Sequence, residues 1–430
     1  MRKSISEIQT QINERVLILD GATGTYLQQH GSSGCNDALC LTNPQLVRQM
    51  HSDYIAAGAD IIETNSFNCN RFSLTEYGLE DKVYDISKRA AEIAREAAGD
   101  TVLVAGSIGP TSKTLSMSTD VNTPESREVS FQEMHDTYCD QIRGLIDGGA
   151  DLLLVETVFD TLNCKCAMKA IDDVCKEKGI VMPVMVSVTL SDNSGRTLSG
   201  QTLEAFVASI GGTALPSRPE TQSSILFSVG LNCGFGAKQL LPYIKRLNEI
   251  VPYNISVHPN AGLPNVMGEY DETPETFAEN ARQALEDGLR INIFGGCCGT
   301  TPDHIRALKE IVRQYTPTSH LSTVTCQLST INCQLSTVNC PKRPGAPATQ
   351  RYLHQCWRED KCCRFCEIQE ADSSEGLRGS TLYCPPAGGE WSTGNRHLYG
   401  RRHDRRRRSN DYIPTPHCRR TRDSQSADND

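Results

Sequence analysis

The amino-acid sequence predicts a (β/α)8 TIM barrel followed by an irregular, disordered C-terminal tail. Short apolar runs rich in Val, Ile and Leu recur between residues 16 and 315, and such runs are typical of parallel strands buried on both faces. Amphipathic segments of helical length separate them, which is the alternation of an α/β fold. Polar or cysteine-bearing residues follow several runs, as expected where a barrel carries its functional residues at the carboxyl ends of its strands.

The predicted strands account for one full barrel. They occupy residues 16–21, 59–67, 101–110, 150–159, 181–190, 226–234, 253–262 and 291–299. A doubly wound open sheet is the rival arrangement. We prefer the barrel because its eight strand ends surround one site, whereas those of an open sheet do not.

Several predicted helices begin with recognisable start signals. Asn43, Thr273 and Thr301 are each followed directly by proline, and a capping residue before a proline at the first helical position is a common helix start. Ser130 and Glu133 have the spacing of a capping box, in which each side chain bonds the other residue's backbone N–H. We therefore expect a helix to begin at each of these four points.

The barrel pattern stops after Tyr315. The predicted domains are a barrel over residues 10–316, a repeat-containing linker over 317–345 and a low-order, basic, Cys-rich tail over 346–430. The linker repeats QLSTINC as QLSTVNC but lacks the apolar seam of a coiled coil. Because composition changes abruptly at this repeat, we hypothesise that the tail is out of frame. Within the barrel, residues 211–224 are rich in Gly, Pro, Ser and Thr, which predicts an extended loop.

Composition and charge exclude several classes of protein. The chain of 430 residues is 38% hydrophobic and 22% charged, as expected of a soluble globular protein. It shows neither a membrane-spanning apolar run nor an N-terminal signal peptide, so we expect a cytoplasmic protein without a membrane partner. Residues 401–408, RRHDRRRR, are strongly basic. A run of this kind without periodicity is typical of a solvated tail, so no nucleic-acid partner is expected.

The distribution of cysteine indicates a metal site. Of the 19 cysteines, ten lie in residues 1–315, and in a long chain without a signal peptide they suggest metal ligands more than disulfides. Cys233 ends the sixth apolar run, and Cys297 and Cys298 end the eighth. Three thiolates are enough to hold a zinc ion and leave its fourth position open, which is the mark of a catalytic zinc site.

The adjacent pair Cys297 and Cys298 requires a particular backbone. Neighbouring side chains in a strand point to opposite sides, so both can reach one metal only where the chain leaves strand geometry. Three glycines permit this departure: Gly295, Gly296 and Gly299. Two alternatives stay open, since free cysteines are often simply buried and a structural zinc needs a fourth ligand. His258 is a candidate for that ligand, although a histidine on an apolar strand is more typical of packing.

The motifs around these strands resemble the homocysteine S-methyltransferase family. They are LDGATGT (19–25), ADIIETNSF (59–67), AGSIGPT (105–111), DLLLVETVFDTLN (151–163), SVGLNCGFGAKQL (228–240), NAGLPN (260–265) and GGCCGTTPDHI (295–305). The resemblance covers about residues 10–315 in family order. It is closest to the homocysteine-binding N-terminal module of cobalamin-dependent methionine synthase. That subgroup is indicated by SMSTDVNTP (116–124), SGRTLSGQT (194–202) and GEYDETPE (268–275).

The resemblance implies a barrel in which Cys233, Cys297 and Cys298 hold Zn²⁺. The zinc would bind the sulfur of L-homocysteine and favour loss of its proton. A free thiol has a pKa near 8.5 and is mostly protonated at neutral pH, whereas a thiol bound to zinc is deprotonated. Since the thiolate is the attacking species, the implied catalytic group is the zinc-activated homocysteine thiolate, and methylation yields methionine.

The resemblance also implies a set of substrate-binding residues. Glu156 occupies the place of an amino-group ligand, and Asp20 that of an acid near the substrate. Ser107 would offer donors to the substrate carboxylate, and Asn260 would occupy the open zinc position without substrate. A salt bridge or a loop cap is the alternative for Glu156 and Asp20. Two further candidates, equally well explained by hydrogen bonding at the barrel rim, are Glu63 and Asn65. Three other cysteines are interpreted as core or loop residues: Cys69, Cys164 and Cys166.

The methyl donor follows from the subgroup, and alternatives remain. Methylcobalamin on a separate module or protein is the implied donor, and the cobalamin-bearing module is then a partner. Larger relatives carry folate, cobalamin and reactivation modules after the barrel, and nothing in residues 316–430 resembles them. The alternatives are S-methylmethionine or another sulfonium donor, and an inactive, zinc-stabilised truncated domain.

Overall fold

The computed structural model describes residues 2–118, 120, 122–214, 224–265 and 267–315, and the backbone of 365–370 and 378–383. The chain divides into two units, Met1–Thr337 and Val338–Asp430. All eight predicted barrel strands lie in the first unit.

The eight predicted strands are confirmed, and they form one parallel sheet. Their bounds are β1 Leu17–Ile18, β2 Ile61–Glu63, β3 Leu103–Ile108, β4 Leu152–Val158, β5 Met182–Val188, β6 Ser224–Gly236, β7 Asn254–Asn260 and β8 Ile293–Phe294. Strand β1 pairs with β8, and each other strand pairs with its neighbours in chain order. The two ends of the sheet meet, because Leu19 forms a parallel bridge with Ile61 and the Asp20 N–H donates to the Ile61 carbonyl at 3.0 Å. The sheet is therefore a (β/α)8 barrel, and the open-sheet alternative is wrong.

Helices surround the barrel. They are α1 Ile5–Glu14, α2 Thr23–Gln29, α3 Leu39–Thr42, α4 Pro44–Ala57, α5 Arg71–Leu74, α6 Val83–Ala98, α7 Phe131–Asp147, α8 Thr161–Lys178, α9 Leu203–Ala214, α10 Ala237–Ile250, α11 Pro274–Glu286 and α12 Pro302–Val312. The predicted helix starts are confirmed. Asn43 caps α4 and Thr273 caps α11 through their side chains, Ser130 and Glu133 form the capping box of α7, and α12 begins after Thr301.

The predicted loop over residues 211–224 is wrong at both ends. Helix α9 continues to Ala214 and β6 begins at Ser224, so residues 211–214 and 224 belong to regular elements. Glycine in a helix costs only about 1 kcal/mol, and α9 is anchored by Phe206 and Ile210, which are fully buried one turn apart. Residues 215–223 lie outside the described residues.

The lower part of the barrel interior is an apolar layer closed by α1. The layer consists of Ile8, Ile12, Leu17, Leu19, Ile61, Leu103, Ala105, Leu152, Leu154, Met185, Phe227 and Ile293. Helix α1 was not predicted. It begins at a capping box of Ser4 and Glu7, and its Ile8 and Ile12, four residues apart on one helix face, are fully buried among the strand residues.

The inward positions become polar toward the carboxyl ends of the strands. Residues two apart in a strand share a face, and Ile61 is followed on the inner face by Glu63, just as Leu154 is followed by Glu156. We call this second level the polar layer. It consists of Glu63, Ser107, Glu156, Ser187, Asn232 and His258. The barrel thus places polar groups at the end where its functional residues are expected.

The second unit contains two antiparallel strands, β9 Phe365–Glu370 and β10 Arg378–Tyr383, which were not predicted. The predicted linker over 317–345, the basic run over 401–408 and the rest of the tail lie outside the described residues. In the described part of the chain, no helix has both the length and the apolar character needed to cross a membrane.

Candidate metal centre

Three cysteine sulfurs converge at the carboxyl ends of β6 and β8. Cys233 lies near the end of β6, and Cys297 and Cys298 follow β8. The Sγ atoms of Cys233 and Cys298 are 3.7 Å apart, and the three sulfurs all lie within 4.8 Å of one another. Two sulfurs bound to one tetrahedral zinc at about 2.3 Å are about 3.8 Å apart. The three sulfurs therefore lie together, and their spacing fits a metal ion held by three thiolates.

The backbone around the pair departs from strand geometry as predicted. Strand β8 ends at Phe294, and the Cys297 N–H then donates to the Pro259 carbonyl at 2.7 Å. Gly299 has a φ of 80°, which glycine adopts readily. Gly296 serves a different purpose, because a Cβ there would lie 2.4 Å from the Thr300 hydroxyl. One glycine supplies the turn and another supplies room for close packing.

The charge state of the sulfurs also favours a cation. Hydrogen bonds from Cys297 and Cys298 lower the pKa of Cys233 to about 3. The same hydrogen bonds to Cys233, together with burial, raise the pKa of Cys297 and bring that of Cys298 to about 11. Without a cation, negative charge is therefore favoured on Cys233 and disfavoured on the other two sulfurs. A bound divalent cation would be needed to keep all three as thiolates.

A second cluster of titratable groups lies in the polar layer. Ligand atoms of Glu63, Glu156 and His258 lie within 4.8 Å of one another. The Ser107 hydroxyl donates to Glu156 Oε1 at 2.5 Å. Burial raises the pKa of Glu156 to about 7, and the nearby charge of Cys233 acts in the same direction. We call Glu63, Glu156 and His258 the carboxylate cluster. It lies close enough to the cysteine cluster for the charge of one to affect the other.

Asp20 belongs to the same acidic region. One of its oxygens accepts a hydrogen bond from the Glu63 N–H at 3.0 Å, and the other is buried without a partner. Burial raises the pKa of Asp20, and repulsion from Glu156 raises it further. The pKa of Glu63 is also raised by burial and by both neighbouring acids. Two buried acids, Asp20 and Glu156, and the half-buried Glu63 repel one another and form a site in which a cationic group is stabilised.

His258 belongs to the carboxylate cluster and is absent from the group of three cysteines. It is 1% exposed, its Nε2 has no hydrogen-bond partner, and burial lowers its pKa to about 3. The described residues therefore give no support to His258 as the fourth ligand of a closed structural zinc site.

The remaining predicted residues differ in their distance from the centre. Asn260 lies close enough to Cys233 to help lower the pKa of its thiol, and its Oδ1 is buried without a partner. Asn65 instead donates to the Asn36 carbonyl at 2.8 Å and approaches Cys40, which fits its alternative interpretation as a rim residue. The cysteines interpreted as core residues are buried outside the cluster: Cys69, Cys164 and Cys166.

Sequence reasoning missed two residues beside the sulfurs. Tyr270 lies against Gly299, next to Cys298, and the Asn232 Nδ2 lies 3.9 Å from Cys297 Sγ. Tyr270 could have been identified from the sequence, because it lies in the GEYDETPE motif. Asn232 directly precedes Cys233, but its partners come from strands that are distant in sequence.

Both the sequence and the fold of the chain are similar to known proteins. The profile of the homocysteine S-methyltransferase family matches residues 17–312. The fold is similar to the metallated form of the homocysteine methyltransferase MmuM from Escherichia coli, with a TM-score of 0.54 and 24% identity over 71% of this chain and 98% of that chain. The oxidized form of the same protein gives a TM-score of 0.53 and 25% identity over 69% and 95% of the two chains.

Proposed function

The chain belongs to the homocysteine S-methyltransferase family, and from this premise we propose that it transfers a methyl group to the sulfur of L-homocysteine to form methionine. One observation carries the proposal. A cysteine cluster with metal-binding spacing lies beside a buried carboxylate cluster at the mouth of the barrel. Homocysteine carries a thiol for the first cluster and an ammonium group for the second.

Cys233, Cys297 and Cys298 are the proposed zinc ligands. Thiolates are preferred ligands of zinc, and three of them leave the fourth position for substrate. Bound zinc would supply a Lewis acid that keeps the homocysteine sulfur deprotonated at neutral pH. Asn260 lies beside Cys233 and its buried Oδ1 has no hydrogen-bond partner, so we propose that it occupies the open side of the centre without substrate.

Glu156 is the proposed partner of the homocysteine ammonium group. Its raised pKa means that it is partly protonated near neutral pH, and an adjacent cation would favour its charged form. Asp20 and Glu63 add negative potential beside it. Both donors of Ser107 are used within the protein, since its N–H donates to Thr64 and its hydroxyl to Glu156. We therefore assign Ser107 to holding Glu156, in place of the expected direct contact with the substrate carboxylate.

We propose methylcobalamin, carried by a separate module or protein, as the methyl donor. Support comes from the subgroup motifs at 116–124, 194–202 and 268–275. A sulfonium such as S-methylmethionine is the second candidate. The length of the structural match favours this candidate. The match covers 98% of a homocysteine methyltransferase chain, so a barrel without a cobalamin module accounts for nearly the whole of that protein.

Turnover by the purified chain tests the function and the donor together. L-homocysteine is mixed with the zinc-loaded chain and either methylcobalamin, followed by its absorbance, or S-methylmethionine, followed by methionine formation. We expect homocysteine-dependent demethylation of methylcobalamin that a chelator abolishes. Activity with S-methylmethionine alone would overturn the donor. Inactivity of folded, zinc-loaded protein with both donors would overturn the function and favour an inactive domain.

A further inference from the structure

Asn232 connects the two clusters of the site through four contacts. It is 1% exposed. Its Oδ1 accepts hydrogen bonds from the Thr157 N–H at 3.0 Å and the Ser187 hydroxyl at 2.7 Å. Its Nδ2 donates to the Thr157 hydroxyl at 2.8 Å and approaches Cys297 Sγ at 3.9 Å. These contacts use both donors and both acceptor positions of the amide, so its orientation is fully specified.

The backbone on both sides of these contacts is unusual. In the described part of the chain, the non-glycine residues with positive φ are Thr157, at 56°, and Cys233, at 57°. Such a conformation is a genuine outlier for a β-branched residue, and it persists only where the surroundings hold it. Asn232 meets both residues, because it hydrogen-bonds Thr157 twice and is joined to Cys233 by a peptide bond.

Each of these outliers neighbours a functional side chain. Thr157 directly follows Glu156, so a change in its backbone would displace the carboxylate. Cys233 carries its own sulfur, and Cys297 receives the remaining amide contact. The thiol and amino group of homocysteine are joined by only three carbon atoms, so the two clusters must keep a fixed separation to bind both.

We infer that Asn232 is a positioning residue that fixes the carboxylate of Glu156 relative to the cysteine cluster. The inference rests on the proposed function for the identity of the two substrate groups. It assigns the amide two tasks, which are to hold Thr157 in its unusual conformation and to place an N–H beside Cys297. Loss of the amide should therefore impair both zinc binding and the binding of homocysteine to the zinc-loaded protein, whereas loss of Glu156 should impair homocysteine binding with little effect on zinc affinity.

The test compares Asn232→Ala with Asn254→Ala in the full chain. Asn254 is a matched control, since it is also a buried asparagine and donates to the Phe227 carbonyl at 2.9 Å. It lies at the start of β7, whereas the site lies at the carboxyl ends of the strands. We expect Asn232→Ala to raise the zinc dissociation constant by about 10-fold or more, the range seen when partners of metal ligands are removed. The homocysteine dissociation constant of the zinc-loaded protein should rise by about 10-fold as well. Chelator competition and calorimetry measure the two constants, and Asn254→Ala should leave both unchanged.

A rescue variant separates positioning from simple loss of stability. Glycine adopts positive φ without strain, so adding Thr157→Gly to Asn232→Ala should recover part of the homocysteine affinity. Absence of recovery would contradict the role of the Thr157 backbone. If the alanine variant does not fold, Asn232→Ser takes its place with the same expectations.

The remaining outcomes overturn the inference in distinguishable ways. If Asn232→Ala lowers only the unfolding temperature, Asn232 is merely structural. If zinc affinity falls and homocysteine affinity does not, Asn232 does not fix the position of Glu156 relative to the cysteine cluster. If the wild-type chain binds zinc but no homocysteine, the proposed function fails and the inference fails with it, whereas wild-type binding that the variant retains overturns the inference alone.

Discussion

The apolar layer and the polar layer occupy the same strands, only two residues apart, yet they serve different ends. Ile61 and Leu154 fill the lower barrel, while Glu63 and Glu156 stand above them on the same inner face. The lower positions bury hydrocarbon, which favours folding. The upper positions bury carboxyl groups that repel one another, which opposes folding. The apolar layer therefore supplies stability, and the polar layer carries the proposed binding groups. Substitutions in the apolar layer should lower the free energy of unfolding and leave ligand binding unchanged, whereas substitutions at the polar end should do the reverse.

The largest effect is expected from Cys298→Ser at the mouth of the barrel. The variant loses one of the three proposed thiolate ligands, so zinc affinity should fall by more than about 100-fold, beyond the effect of losing a partner of a ligand, and turnover should be lost. The free energy of unfolding should change little, because the cysteines are only partly buried. Zinc content, turnover and denaturant unfolding measure these effects. Cys35→Ser, at another partly buried cysteine, is the control, and full turnover by Cys298→Ser would contradict the proposed mechanism.

The opposite signature is expected from Leu154→Ala in the apolar layer. Leu154 is fully buried, and removing a buried leucine side chain typically lowers the free energy of unfolding by about 2–5 kcal/mol. Zinc affinity and the homocysteine KM should be unchanged at temperatures well below the unfolding transition. A change in KM without loss of stability would show that the two levels are not separate.

Glu156→Gln sharpens the comparison, because it should weaken binding while stabilising the fold. The homocysteine KM should rise by at least about 10-fold, since a hydrogen bond to a charged group is typically worth about 1.5–3 kcal/mol. The pKa of Glu156 is raised from 4.5 to about 7, so its stabilising contribution is complete below pH 4.5 and is lost as the pH rises through 7. The variant should therefore gain up to about 3 kcal/mol over the wild type across that interval. Denaturant unfolding at several pH values measures this gain, and a constant difference would contradict the assigned pKa.

The smallest effect is expected from Ser130→Ala, in the outer ring of helices. Ser130 caps α7 through the Glu133 N–H, and loss of such a cap typically costs about 1 kcal/mol. Thermal unfolding should detect this loss, while zinc content and KM stay at wild-type values. An effect on KM would show that an outer helix influences ligand binding, and would contradict the idea that stability and binding depend on different parts of the barrel.

The strands and the cysteines could be predicted because their signals are local. A strand buried on both faces is a continuous apolar run, and the runs that end in Cys233 and Cys297 are of this kind. Helix α1 was missed because it buries only two isoleucines among polar residues, although the capping box of Ser4 and Glu7 was visible in the sequence. The end of α9 was missed because residues 211–214 were assigned to the loop from the composition of the whole 211–224 segment, whereas the helix continues to Ala214.

The connections across the site could not be predicted, because they depend on contacts between distant strands. Asn232 bonds Thr157 and Ser187, which lie 75 and 45 residues away in sequence. Ser107 was expected to face the substrate, and its bond to Glu156, 49 residues away, became visible only in the folded barrel. Residue type suggests that a side chain is functional, but only the assembled barrel shows which partner it has.

Helix α1 has a consequence for how ligands would reach the proposed centre. Its Ile8 and Ile12 are fully buried among the strand residues of the apolar layer, so they fill the lower end of the described barrel. The three partly buried cysteines lie at the opposite end, where β6 and β8 finish. Under the proposed function, homocysteine and the methyl donor would therefore approach from the same side, and bound homocysteine would have to leave its sulfur accessible to the donor.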